Sequence, residues 1–261
     1  MPWFHGGNPA HSRLARQSRS RTFGETPHGA TDGPYSSAAW DLPLEEASYF
    51  VLDIETSGFA PQTDIVLSIA SAQLHLQNLN LDAFHASPGQ ISNLRQQVTS
   101  QGVRVQNLEY ELVKHPDTSF VPAHIWELTG LTPQALDSGR EWREVLFGTL
   151  KRTGASVWVA HHARHELSFL QKSARDFWRL RLHPIVIDTA LVAQALLGHP
   201  QTPTLDEVCA WFDVPVGTRH HADEDVRMTA LVWQREASLC KVLGLSTVGE
   251  VIEWALARAQ G

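Results

Sequence analysis

The sequence predicts an α/β fold, a mixed β-sheet flanked by helices. Three observations lead there. Strand-like apolar runs come first, and from about residue 130 helical patterns alternate with short apolar strands, the order expected of a mixed sheet covered by helices. The 261 residues, 43% of them hydrophobic, suffice for one sizeable domain and not comfortably for two. No internal repeat divides the chain, which excludes a solenoid or a propeller.

Each element has a local reason. Residues 1–45 are rich in Ser, Gly, Pro, His and Arg with no sustained apolar period. They read as a disordered or loosely packed basic N-terminal arm. Arg13, Arg16, Arg19 and Arg21 stand among residues 1–24 without an acid. Such an arm is either a solvated tail or a basic segment that helps hold a polyanion. Its acid-poor composition also resembles a transit peptide, but Pro2, Gly6, Gly7 and Pro9 interrupt any amphipathic helix, and no apolar core of a secretory signal is present.

Residues 48–54 and 65–76 read as strands joined by a Gly/Pro turn, with Ile65 to Ala70 as the clearest β run. Residues 77–106 are polar and weakly patterned, and read as an inserted loop or hairpin extension. Leu108 to Val113 makes a third strand. Thr132 and Pro133 open a short helix as N-cap and first-turn proline. A helix over 141–152, a buried strand Val157–Ala160, a helix over 163–173 and a strand Ile185–Ile187 ending at Asp188 follow. Helices are expected over 189–197, 204–212 and 222–242. A main domain over 46–245 is then followed by a C-terminal helical tail over 246–261.

Charge and cysteine usage narrow the class. The formal net charge is −7, whereas nucleic-acid binders are usually basic. That argument weakens if several acids hold cations, which reverse the local field. No stretch approaches the ~20 apolar residues of a membrane span. Cys209 and Cys240 lie far apart and form no C-x-x-C pair, which fits a reducing, cytoplasmic compartment better than a disulfide framework.

Asp53-Ile54-Glu55-Thr56 ends the first apolar run and is followed by Ser57-Gly58. Alternate strand residues share a face, so Asp53 and Glu55 project together while Leu52 and Ile54 face the other way. Paired carboxylates repel unless a cation or a shared proton compensates. Oxygen ligands favour Mg²⁺ or Mn²⁺ over zinc. The alternative is an exposed acidic strand end.

Two further segments carry polar clusters. Ala160 to Leu170 follows a buried strand and opens a helix, at the carboxyl end of a strand where α/β sites form. His165-Glu166 nearly makes the helical zinc motif H-E-x-x-H, but position 169 is Phe. Arg219 to Ala230 holds His220 and His221 before Asp223, Glu224 and Asp225. The acids there either complement a helix N-terminus or deliver Asp225 into a site. A histidine, with its ordinary pKa of ~6.5, suits proton abstraction near neutral pH.

Taken in order, Asp53-x-Glu55-Thr56, the A-H-x-A-x-x-acid-x-x-F-L run at 160–170 and the H-x-A-x-x-D run at 220–225 resemble the three exonuclease motifs of the DEDD superfamily. His220, five residues before Asp225, resembles the DEDDh branch, which includes the proofreading epsilon subunit of bacterial DNA polymerase III and its stand-alone relatives. Leu128 to Thr132, Ile187-Asp188-Thr189 and Thr204 to Val208 also resemble that family's connecting segments. The resemblance covers roughly residues 48–236.

It implies an RNase H-like fold and metal-dependent 3′→5′ hydrolysis at the end of single-stranded nucleic acid, DNA before RNA. By the same resemblance, Asp53, Glu55, Glu166 and Asp225 hold two divalent cations, Mg²⁺ or Mn²⁺. His220 takes the proton of the attacking water, and Thr56, Gly58 and His162 meet the substrate. A DNA polymerase is the protein partner implied, and no membrane is. The chain departs from the family at Glu166, where the motif has Asp, at His162 for Asn and at His165 for Phe. A weakly active or inactive module that binds nucleic-acid ends or a polymerase is therefore the alternative. Phe59 and Trp126 are either base-stacking aromatics or core.

Overall fold

The computed structural model describes residues 37–76 and 105–259. Most of the expected arm and most of the expected insertion lie outside the described residues. Strand β1 (Ser48–Thr56) pairs antiparallel with β2 (Val66–His75), and β2 antiparallel with β3 (Val105–Lys114). On its other side β1 runs parallel to β5 (Val157–Ala160), and β5 parallel to β6 (Val186–Asp188). With the two-residue β4 (Arg140–Glu141) the order is β4-β3-β2-β1-β5-β6. The mixed sheet is the expected one. Its antiparallel half is joined by turns, and its parallel half needs crossovers. Helices α4 (Trp142–Thr153) and α5 (Arg164–Trp178) flank β5 and supply them.

Period-2 alternation along β1 divides the core. Tyr49 and Val51 face a layer built from α6 (Thr189–Leu197), α7 (Leu205–Phe212), α8 (Ala222–Val242) and α9 (Val248–Ala259). Phe50, Leu52 and Ile54 face α4 and α5, against Val145, Leu146, Phe169 and Leu170. Asp53 and Glu55, in phase with Tyr49 and Val51, therefore point toward α8. Tyr49 meets Trp233 of α8 edge-on at 5.5 Å and donates its hydroxyl to the Leu44 carbonyl at 2.8 Å. A small third cluster unites Leu67 with Ile125 of α2 (Ala123–Thr129) and Leu136 of α3 (Pro133–Leu136).

Helix ends follow their caps. Thr204 and Glu207 form a reciprocal capping box at α7. Thr132 accepts from Ala135 N at 3.1 Å above Pro133, as expected. Helix α5 outruns the expected 163–173 because Ala174 is buried and Phe177 and Trp178 pack against the same layer.

The arm expected to reach residue 45 includes, at its end, a short helix α1 (Ser37–Trp40) and a fully buried Leu44. The C-terminal segment expected to be helical over 246–261 holds α9 and packs on the core. Leu44 N bonds the Ser246 carbonyl at 3.0 Å, Val248 N bonds the Leu42 carbonyl at 3.1 Å, and Val248, Val251 and Ala255 of α9 enter the core. Apolar side chains at both ends of the chain meet across space, a pairing that no local pattern announces.

Glu236 of α8 is fully buried, and neither carboxylate oxygen has a hydrogen-bond partner among the described residues. Burial, then Asp188, raises its pKa well above the ordinary range. A raised folded pKa means that stability is lost as pH climbs above the unfolded carboxyl's ~4.3. The Glu236→Met chain, which removes the buried carboxyl and keeps the length, is expected to be more stable by about 1–3 kcal/mol. Its advantage should grow between pH 4 and pH 8 in thermal melts, and a Met variant no more stable at pH 8 would refute this.

Candidate active site

Three elements deliver the acidic side chains to one place. The β1–β2 ladder breaks with a bulge between Glu55 and Thr56, which ends pairing and turns the strand. Glu166 lies on the first turn of α5, directly after β5. Asp225 lies on the first turn of α8, and His220 stands in the loop before it. Glu55, Glu166 and Asp225 are only 8%, 4% and 5% exposed. Ligand atoms of Glu55, His220 and Asp225 lie within 4.8 Å of one another. Asp53 and Glu166 border this trio and act on it through their charge.

The carboxyls are mutually destabilised as anions. Burial, then Asp225, pushes Glu55 up to about 8. Burial first, then Glu166, Glu55 and Asp225, holds Asp53 well above the carboxylate range. Burial, then Asp188 and Glu55, does the same to Glu166. Glu166 Oε2 is buried with no hydrogen-bond partner among the described residues. Converging carboxyls compensated by one guanidinium, with a Glu166 oxygen unpartnered among the described residues, fit a hard divalent cation.

Sequence reasoning passed over three charged residues here. The Arg219 guanidinium pairs with Asp225, and its Nε lies 2.7 Å from Asp206 Oδ1. Asp188 accepts from the backbone N–H of Ala190 at 3.0 Å and of His162 at 3.1 Å, capping α6 beside Glu166. Arg219 adjoins the third motif in sequence, and that adjacency was its one available signal.

The remaining expected residues line the rim. The Thr56 hydroxyl donates to the Gly58 carbonyl at 2.7 Å and lies 3.2 Å from His165 Nε2, so the imidazole N–H donates to it. A Cβ on Gly58 would come 2.5 Å from Asp64 Oδ2. Asp64 binds the turn through Ser57 Oγ at 3.1 Å and Ala60 N at 2.8 Å. The space that glycine leaves is thus filled by this chain's own carboxylate, where sequence reasoning had reserved it for a nucleotide. His162 is exposed, in a left-handed conformation with φ +59°. Buried His161 donates Nε2–H to the Pro203 carbonyl at 3.0 Å and accepts from Thr189 Oγ1 at 2.9 Å, and burial lowers its pKa to about 3. It is a neutral structural pin.

Phe59 is 89% exposed and meets His165 edge-on at 5.6 Å. Trp126 is half-buried and packs against the cluster of Leu67 and Ile125. Gly130, with φ +66°, closes α2, and a Cβ there would lie 3.2 Å from His221 Nε2. The Leu128–Thr132 segment thereby backs the loop that carries His220.

Comparison with known proteins bears on the fold and the family. A PolC-type DNA polymerase III of Thermotoga petrophila is 27% identical over 213 residues, 82% of this chain and 14% of that protein. The Staphylococcus aureus PolC-type enzyme is 23% identical over 246 residues, 93% of this chain and 15% of that protein. The chain spans about a seventh of the length of these curated relatives. The fold is shared with the zinc-bound E. coli ExoI–ssDNA complex, with TM-score 0.56 and 13% identity over 76% of this chain and 42% of that one. It is shared too with exonuclease X in complex with 5′ overhanging duplex DNA, with TM-score 0.51 and 14% identity over 79% of this chain and 99% of that one. The RNase H-like α/β architecture is therefore confirmed. The exonuclease family model RNase_T matches residues 50–233, and the chain belongs to that exonuclease family.

Proposed function

We propose that this protein is a metal-dependent 3′→5′ exonuclease that shortens single-stranded nucleic acid, DNA in preference to RNA. One observation carries the reading. The carboxylates of Glu55 and Asp225 converge on the His220 imidazole with the charges of Asp53 and Glu166 beside them, and a buried Glu166 oxygen has no hydrogen-bond partner among the described residues. Asp53, Glu55, Glu166 and Asp225 are the residues to hold two Mg²⁺ or Mn²⁺ ions. Such ions, when bound, acidify a water and offset charge on phosphate oxygens.

The chain's own residues supply the rest. Burial, then Arg219, lowers the pKa of His220 from its ordinary value, so its imidazole is neutral and able to accept the water's proton at pH 7. Exposed Phe59 offers a face for the terminal base. The Gly58 carbonyl and the Thr56 hydroxyl are fixed by each other and by His165. This rigidity supports placement of the terminal nucleotide beside the acids. Two buried free cysteines support a reducing, cytoplasmic setting. Among the described residues no helix is long and apolar enough to cross a membrane. A DNA polymerase is the partner we propose, from the PolC-type relatives.

The deciding experiment uses 5′-labelled single-stranded DNA and RNA with Mg²⁺ or Mn²⁺. A metal-dependent ladder that recedes from the 3′ end, absent in Asp53→Asn, is the expected result. No degradation of either polymer with either metal would overturn the reading. His220→Ala is expected to slow turnover about 10²–10⁴-fold while metal uptake, followed by calorimetry, is kept. Loss of uptake instead would make His220 a ligand.

The Arg219–Asp225 pair favours a second reading, an attenuated module that binds nucleic-acid ends or a polymerase. Binding of labelled ends without turnover, at every metal concentration, would distinguish it.

A further inference from the structure

Arg219 has no place in the motif that surrounds it, yet its guanidinium reaches the centre of the acidic cluster. One nitrogen pairs with Asp225 Oδ1, and Nε lies 2.7 Å from Asp206 Oδ1. The two acids differ. Asp225 is 7% exposed at its side chain, among the carboxyls that repel one another, whereas Asp206 is 55% exposed on the first turn of α7. A guanidinium stays charged at any pH a protein meets, and it desolvates more readily than an ammonium. It is thus a fixed positive charge, half inside a cluster that needs one. The oxygen it holds belongs to a residue that must itself ligate a cation under the function proposed above. One carboxylate oxygen cannot serve both at full strength.

We propose that Arg219 is the resident counter-ion of the metal-free site, and that cation uptake is an exchange in which the guanidinium leaves Asp225 while Asp206 retains it. Asp206 is then a parking position: its charge lies 2.7 Å from Nε in an ion pair, Nε makes no hydrogen bond among the described residues and is free to realign toward it, and Asp206 is exposed enough to cost little when the arm swings outward. The pair Arg219–Asp206 is a positioning device that sets the metal affinity of the site.

The inference rests on the reading of Asp225 as a ligand, and the experiment separates the two. Mn²⁺ binding to the full chain is measured by titration calorimetry and by loss of the free-ion paramagnetic resonance signal, alongside thermal melts without metal. Arg219→Gln removes the competing charge. It should tighten Mn²⁺ binding about tenfold, as expected for the loss of a half-buried charge-assisted bond, and should lower the melting temperature of the metal-free protein. Asp206→Asn removes the parking position and should weaken Mn²⁺ binding several-fold. Arg219→Lys keeps the charge but not the fork, should fall between wild type and Arg219→Gln, and serves if the Gln variant does not fold.

The opposite movement of affinity and metal-free stability is the signature, because a purely structural arginine would lower both. Unchanged or weaker Mn²⁺ binding in Arg219→Gln, or tighter binding in Asp206→Asn, would overturn the exchange and leave the ligand assignment standing. No Mn²⁺ uptake by the wild type would remove the ligand assignment, and the exchange with it.

Discussion

Asp53→Asn should cut turnover on the order of 10³-fold and yet make the metal-free protein more stable. The carboxyl is held well above its ordinary pKa, first by burial, then by Glu166, Glu55 and Asp225. A neutral amide of the same shape relieves that repulsion at neutral pH. The sign follows from linkage: a raised folded pKa means that wild-type stability declines as pH rises above the unfolded carboxyl's ~4. The advantage of Asn should therefore appear above that range and be absent below it. A gain of about 1–2 kcal/mol is expected, read as a higher melting temperature at pH 7 in chelator. Catalysis moves the other way. An amide ligates a hard cation poorly, and loss of charge stabilisation at the reacting phosphate should lower kcat on the order of 10³-fold. A variant that is inactive and also less stable would mean that the acidic cluster is not strained, and would remove the physical basis for its cation.

Glu166 should resist correction toward the family's own residue. Its carboxylate is buried and Oε2 has no hydrogen-bond partner among the described residues, which leaves that oxygen open to a ligand. Glu166→Gln is expected to cost about 10²–10³-fold in kcat, the range for removing one preorganised charged group. Glu166→Asp restores the usual motif but retracts the carboxylate by about 1.5 Å, the length of the methylene it loses. Sites of this kind tolerate only about 0.5 Å of misplacement. A loss of about tenfold in kcat with weakened metal binding is therefore expected. A faster Asp variant would show that the rest of the site is already set for the shorter side chain. Unchanged metal-dependent turnover in Glu166→Gln would take residue 166 out of the ligand set.

Residues differ in how far their roles were legible in the sequence. The shared face of Asp53 and Glu55 was legible because strand alternation is local. So was the start of α7, where Thr204 and Glu207 satisfy each other within one turn. The order of the three acidic motifs was legible because each is short and contiguous. Gly58 was not legible as a packing position: the space beside it is taken by Asp64, six residues on and across a turn. Trp126 was left open, since an aromatic looks the same in sequence whether it faces a base or Ile125, against which it packs. Glu236 gave no sign at all, because a glutamate in a helix is usually solvated and only the packing of α8 against the sheet buries it.

By itself, then, the sequence determined the α/β class, the faces of the strands, most helix ends and the set of acids available for chemistry. The class, the faces and the helix ends follow from periodicities of two or 3.6 and from hydrogen bonds closed within a turn, and the set of acids from the family resemblance of three short motifs. Only the tertiary structure decided which charges meet. It brought Glu166 beside Asp53, laid Arg219 between Asp225 and Asp206, and locked residues 42–44 to residues 246–248. Coulomb energy depends on distance through space and on burial, and neither is a property of neighbours along the chain.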